Sequence, residues 1–171
     1  MKQSSYREKK RALIEEITAA FNGVERENGV TLHEAMVLDN YGGPSERAEA
    51  RTKDTETRWQ DVPDTDIAFS DAVLSFLDDT GLRYYLPAYI SWYLRNIDNE
   101  AICYRSNTFD SVIFHLTHDP KRSERFDLLN KVQRQSIAAF LTFEAEREEK
   151  LAERHLRTSL YQGGLEKEAV E

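Results

Sequence analysis

Cysteine, glycine and proline are all scarce in this sequence of 171 residues. Seven glycines and four prolines are too few for the many turns of a β-sandwich, so helices joined by short loops are expected. Cys103 is the only cysteine, which excludes a disulfide within the chain and favours a reducing compartment. We therefore predict a cytoplasmic, mainly helical protein.

Long apolar runs are missing as well. The first residues, MKQSSYREKKR, are polar and basic and are not followed by the apolar segment of a signal peptide. No later stretch reaches the roughly 18 apolar residues that a spanning helix requires. The sequence therefore predicts no membrane association.

Local signatures of catalysis are also absent. The chain contains no GxGxxG, Walker or GxSxG motif, and neither HExxH nor CxxC occurs. These absences argue against nucleotide, dinucleotide and serine-hydrolase chemistry, and we predict no cofactor. An enzyme is therefore the less favoured class.

What the chain does contain is helical periodicity and one unusual aromatic stretch. The segment GLRYYLPAYISWYLRN, residues 81–96, is apolar nearly all round when placed on a helical wheel. It predicts a central helix over about 80–97 in a single compact multi-helix domain of the mainly α class. We expect this core domain to span residues 1–143, a charged extension of the last helix to span 144–162, and a disordered tail to span 163–171.

The net charge of −8 is concentrated between residues 54 and 79, where eight acidic residues accompany one base, Arg58. Such a segment repels nucleic acid phosphates and attracts a basic protein surface. Trp59 lies in it and either folds back onto the core or forms an exposed hot spot flanked by acids. The predicted partner-binding residues are Arg58, Trp59, Asp61, Asp64 and Asp66.

Two histidine-containing groups are candidates for a metal-dependent hydrolase. His115 and His118 are three residues apart with Asp119 beside them, and this spacing can place two imidazoles on one metal ion. The alternative is that both histidines only cap the carbonyl end of a short helix. A second possible site combines His33, Glu34 and Asp61, although a capping box with Thr31 already accounts for Glu34.

Several short stretches together resemble a bacterial family classed as a domain of unknown function. They are LIEEI, TLHEA, TRWQDVP, LSFLD, RYYLPAY, SNTFDS, RFDLLN and QSIAAFL. The resemblance runs from about Leu13 to Phe143 and implies one intact, mainly helical domain. It implies no activity, and it leaves the charged extension outside.

These observations favour a small acidic protein-binding factor, of the immunity or antitoxin kind, that docks a basic protein partner. The metal-dependent hydrolase is one alternative. A homodimer formed through the charged C-terminal helix is the other.

Overall fold

The computed structural model describes the backbone of residues 2–119 and 122–168 and the side chains of residues 5–119 and 124–153. Every regular element in these residues is a helix, which confirms the mainly α class. Internal contacts divide the chain into two units, Met1–Ser136 and Ile137–Glu171. The residues discussed below as functional candidates all belong to the first unit.

The helices are named here in chain order. They are α1 (Lys2–Ala20), α2 (Leu32–Asp39), α3 (Pro44–Arg51), α4 (Asp64–Ala68), α5 (Val73–Phe76), α6 (Asp79–Asn96), α7 (Glu100–Cys103), α8 (Thr108–Thr117), α9 (Arg122–Arg125) and α10 (Lys131–Glu168), with a 3₁₀ turn at Trp59–Asp61.

The predicted aromatic helix is confirmed as α6, which contacts α1, α4 and α8. Its start is fixed by Asp78, whose carboxylate accepts hydrogen bonds from the backbone N–H groups of Gly81 (2.8 Å) and Val30 (2.9 Å). All residues from Leu82 to Leu94 except Arg83 are buried. A helix that is buried on every side must be apolar on every side, which explains its composition.

The tyrosines of α6 have a role that leucines could not fill. The Tyr85 hydroxyl donates to Glu56 Oε1 at 2.9 Å, and the Tyr89 hydroxyl donates to the Ser70 carbonyl at 3.1 Å. Tyr84 makes a longer bond of 3.5 Å to the Glu56 carbonyl. The rings thus fill the core while their hydroxyls hold the loop segments that pass over it.

These buried tyrosines predict a sharp loss of stability in alkali. Burial, reinforced by the Glu56 carboxylate, raises the pKa of Tyr84 to about 12, and burial raises the pKa of Tyr89 well above its usual value of 10. The pKa of each tyrosine is higher in the folded than in the unfolded protein. Their contribution to the free energy of unfolding is therefore complete below pH 10 and is lost as pH rises toward 12. We expect the tyrosinate absorbance of these rings at 295 nm to rise together with loss of helical circular dichroism. Ionisation that precedes unfolding would contradict this.

Helix α10 ends at Glu168, beyond the predicted end of the charged extension at residue 162. It therefore includes part of the stretch predicted to be a disordered tail, 163–171, whose last three residues lie outside the described backbone. None of the helices in the described part of the chain combines the length and apolar character that crossing a membrane requires.

Candidate functional site

Trp59 is not an exposed hot spot. Its side chain is buried, and its indole Nε1 donates a hydrogen bond to the Phe21 carbonyl at 3.1 Å, just beyond the end of α1. The 3₁₀ turn at Trp59–Asp61 contacts α6, so the indole belongs to the core. The prediction that Trp59 could bind a partner directly is therefore wrong, and the alternative that it folds back onto the core is correct.

The other four predicted partner-binding residues lie at the surface, and three of them, Arg58, Asp61 and Asp64, form ion pairs. Arg58 donates to both carboxylate oxygens of Asp61, at 2.8 and 2.7 Å, and this bond to Arg58 lowers the pKa of Asp61. Arg95 from the end of α6 donates to Asp64 at 2.5 Å. Much of the negative charge that the sequence suggested is thus compensated locally. Asp66 is half-buried, with the Thr65 hydroxyl as its hydrogen-bond donor.

Two further acids of the segment are used inside the protein. Arg26 donates to Glu56 Oε1 at 2.7 Å and to the Asp54 carbonyl at 2.8 Å, and its guanidinium lies 5.7 Å from the centre of the Tyr84 ring. Because Tyr85 donates to the same Glu56 oxygen, one ionic cluster holds residues 54–56 against α6. This cluster fixes the start of the segment that leads to Trp59.

The residues of the second possible site are separated from one another. His33 Nδ1 lies 2.7 Å from Asp54 Oδ1, Glu34 accepts from Arg51 at 2.6 Å, and Asp61 binds Arg58. Thr31 and Glu34 form the predicted capping box at the start of α2. His33, Glu34 and Asp61 therefore act through three different partners and do not form a common site.

The predicted metal site is only partly assembled. His115 Nδ1 lies 3.0 Å from Asp119 Oδ2, whereas the exposed His118 ring stacks on Phe114 and its Nδ1 lies 2.6 Å from the Thr117 hydroxyl. Across the described residues, no group of three His, Cys, Asp or Glu side chains is placed to hold a metal ion. The structure thus brings His115 and Asp119 together but leaves His118 apart.

His115 has a second partner that the sequence did not reveal. Its Nε2 lies 3.2 Å from the hydroxyl of Ser75 on α5. Burial lowers the pKa of His115, although the hydrogen bond to Asp119 opposes this shift. The imidazole is therefore held mainly in its neutral form at pH 7.

The exposed aromatic ring in the acidic segment is Phe69, which the sequence reasoning missed. Phe69 is 67% exposed, and the adjacent Ser70 hydroxyl contacts the Met36 sulfur of α2 at 3.8 Å. Asp66 and Asp71 flank it in sequence. We call Met36, Phe69, Asp66 and Asp71 the Phe69 patch. The signal that could have found it is the sequence DIAFSDA, in which one large apolar residue follows the short helix α4 between two acids.

A cleft of about 200 Å³ between α2 and α3 adjoins this patch, since Met36 belongs to both. Its remaining lining includes His33, Val37, Glu46 and Lys53. Asp54 orients the His33 ring through Nδ1, so Nε2 remains as the ring atom for a ligand. The cleft offers an apolar wall, formed in part by Met36 and Val37, with several polar groups.

Residues 9–162 match the family described as "Family of unknown function (DUF6714)". The chain belongs to the DUF6714 family. The match reaches residue 162, so the DUF6714 region includes much of the charged part of α10 that the sequence resemblance had left outside. No curated protein and no solved structure matches the chain. The geometry of this DUF6714 protein is therefore the basis for the functional proposals that follow.

Proposed function

We propose that this protein is a binding factor, of the immunity or antitoxin kind, which docks a basic protein partner on the Phe69 patch. The observation that carries the proposal is the exposure of a phenylalanine between two acids. Phe69 exposes 67% of its surface, although a folded protein of this size gains stability by burying such a ring.

The apolar part of the patch has the character of an interface anchor. Aromatic side chains and methionine are enriched at protein interfaces, and Met36 is exposed beside the Ser70 hydroxyl. The cleft between α2 and α3 continues the surface behind Met36 and provides a concave region for a partner side chain. Phe69 and Met36 together supply an anchor of this kind.

The charge of the patch supports a basic partner. Asp61 and Asp64 have arginine partners, but among the described side chains neither Asp66 nor Asp71 lies within ion-pair distance of a base. Their uncompensated charge, on either side of Phe69 in the sequence, raises the local concentration of cationic surfaces and disfavours acidic ones. The matching partner surface carries an arginine or lysine near the residue that contacts the Phe69 ring.

Affinity capture with a matched control tests the proposal. The tagged protein is incubated at low salt with lysate of the cells that encode it, and captured proteins are identified by mass spectrometry. We expect a basic protein whose affinity for the Phe69→Ala variant is about 30-fold weaker, the loss typical of a hot-spot residue. Tyr104→Ala is the control, because Tyr104 is a 93% exposed aromatic ring outside the patch.

Charge is tested with the same captured partner. The double variant Asp66→Asn/Asp71→Asn should bind more slowly and with a weaker salt dependence, whereas Asp110→Asn should bind as the unmodified protein does. The proposal fails if no protein is captured at low salt, where charge attraction is least screened. It also fails if the partner binds Phe69→Ala and Tyr104→Ala equally well.

A further inference from the structure

Ser75, His115 and Asp119 form a hydrogen-bonded series that is independent of the Phe69 patch. Ser75 is exposed on α5, His115 is buried near the end of α8, and Asp119 follows that helix. The distances are 3.2 Å from the Ser75 hydroxyl to His115 Nε2 and 3.0 Å from His115 Nδ1 to Asp119 Oδ2. A hydroxyl, an imidazole and a carboxylate are thus in contact in the order that nucleophilic catalysis requires.

The donor and acceptor roles follow from the chemistry of the three groups. An ionised carboxylate only accepts hydrogen bonds, so the bond to Asp119 places the proton of a neutral His115 on Nδ1. Nε2 then carries the lone pair and accepts the hydrogen bond from the Ser75 hydroxyl. Burial favours the neutral ring because it lowers the pKa of His115. The base is therefore unprotonated and correctly oriented at pH 7.

Arg125 holds this arrangement together. Its Nη1 donates to Asp119 Oδ2 at 2.8 Å, while its Nη2 donates to the carbonyls of Leu74 and Leu77 at 2.5 and 3.1 Å. These two carbonyls lie on either side of Ser75 in the chain. One guanidinium therefore fixes α5 relative to the carboxylate that orients His115, and it also compensates the carboxylate charge in a partly buried place.

We infer that Ser75 is a nucleophile activated by His115 and positioned by Asp119, and that it transfers acyl groups from carboxylic esters to water. The Ser75 oxygen attacks the ester carbonyl carbon, and His115 Nε2 accepts the hydroxyl proton. The bond from this carbon to the alcohol oxygen then breaks, and Nε2 returns the proton to the departing alkoxide. Attack by water on acyl-Ser75 releases the acid and restores the serine, so the sum is ester hydrolysis.

The test uses the full-length protein and diisopropyl fluorophosphate, which forms a stable bond to an activated serine oxygen with loss of fluoride. We expect one adduct, mapped to Ser75 by peptide mass spectrometry. Ser45 is the internal control, because it is an exposed serine near the start of α3. Ser75→Ala should remove the adduct, and His115→Gln should slow labelling about 100-fold or more, the usual contribution of a general base.

A pH profile of the unmodified protein gives a readout that does not depend on a buried substitution. Labelling of Ser75 should be constant between pH 7 and 8 and should reach half of this rate below pH 6.5, because the pKa of the base is lowered from that value. If Ser75 reacts no faster than Ser45, the Ser75–His115 hydrogen bond is only structural and the inference is wrong. A labelling rate in folded His115→Gln equal to that of the unmodified protein would also overturn it.

Discussion

Arg26→Met is expected to lower the free energy of unfolding by about 3 kcal/mol, because it leaves the Glu56 carboxylate without its cation. The Glu56 side chain is only 9% exposed, and Arg26 is 19% exposed, so solvent compensates little of the lost ion pair. Arg26 also donates to the Asp54 carbonyl, and that bond is lost as well. Because the pair is not fully buried, we expect the lower end of the range of about 3–5 kcal/mol for broken buried pairs. Urea unfolding followed by circular dichroism measures the change.

Arg95→Met is the matched control for this prediction. Arg95 forms the same type of bond with Asp64, but the two side chains are 45% and 54% exposed. An exposed pair of this kind contributes less than about 1 kcal/mol. Adding Glu56→Gln to Arg26→Met should restore part of the stability, since a neutral amide still accepts from Tyr85 without leaving a buried charge. Equal losses for Arg26→Met and Arg95→Met would contradict the assigned role of Glu56.

Arg26 and Glu56 also show why the sequence predicted the helices better than the polar contacts. Helices depend on residues close together in the chain, such as the capping box of Thr31 and Glu34 or the cap formed by Asp78, and both lie where local patterns indicate them. By contrast, Arg26 and Glu56 are 30 residues apart. No local pattern specifies such a pair, so the sequence could not show which acids are compensated.

The same limit explains why the sequence pointed to Trp59, and not to Phe69, as the exposed aromatic residue. Trp59 and Phe69 both lie among acids, and composition alone does not show which ring reaches the core. The 3₁₀ turn places Trp59 within reach of the Phe21 carbonyl, which satisfies its only polar group, while Phe69 follows the end of α4 and remains outside. For His115, the i+4 spacing to Asp119 was visible in the sequence, but Ser75 and His115 are 40 residues apart and lie on different helices.

Gly81→Ala should cost about 3 kcal/mol of unfolding free energy, because two backbone segments meet there without room for a side chain. A Cβ atom at Gly81 would lie 2.4 Å from the Val30 carbonyl oxygen and 2.9 Å from Asp78 Oδ1. The Val30 N–H is itself bound to Asp78, so the loop cannot move away without losing the cap that starts α6. Neither neighbour can move to relieve the clash, so we expect a free-energy cost at the upper end of the range of about 1–3 kcal/mol that is usual for overpacking.

Gly43→Ala separates this steric effect from the general effect of replacing a glycine. A Cβ atom at Gly43 would meet only Glu46 Oε2, at 3.9 Å, and the backbone there has an ordinary φ of −85°. Gly43→Ala should therefore change the urea midpoint only slightly, whereas Gly81→Ala should lower it strongly. Similar midpoints for the two variants would mean that the loop can withdraw from α6. In that case Asp78 would not join the Val30 loop to the start of the aromatic helix as tightly as the two hydrogen bonds indicate.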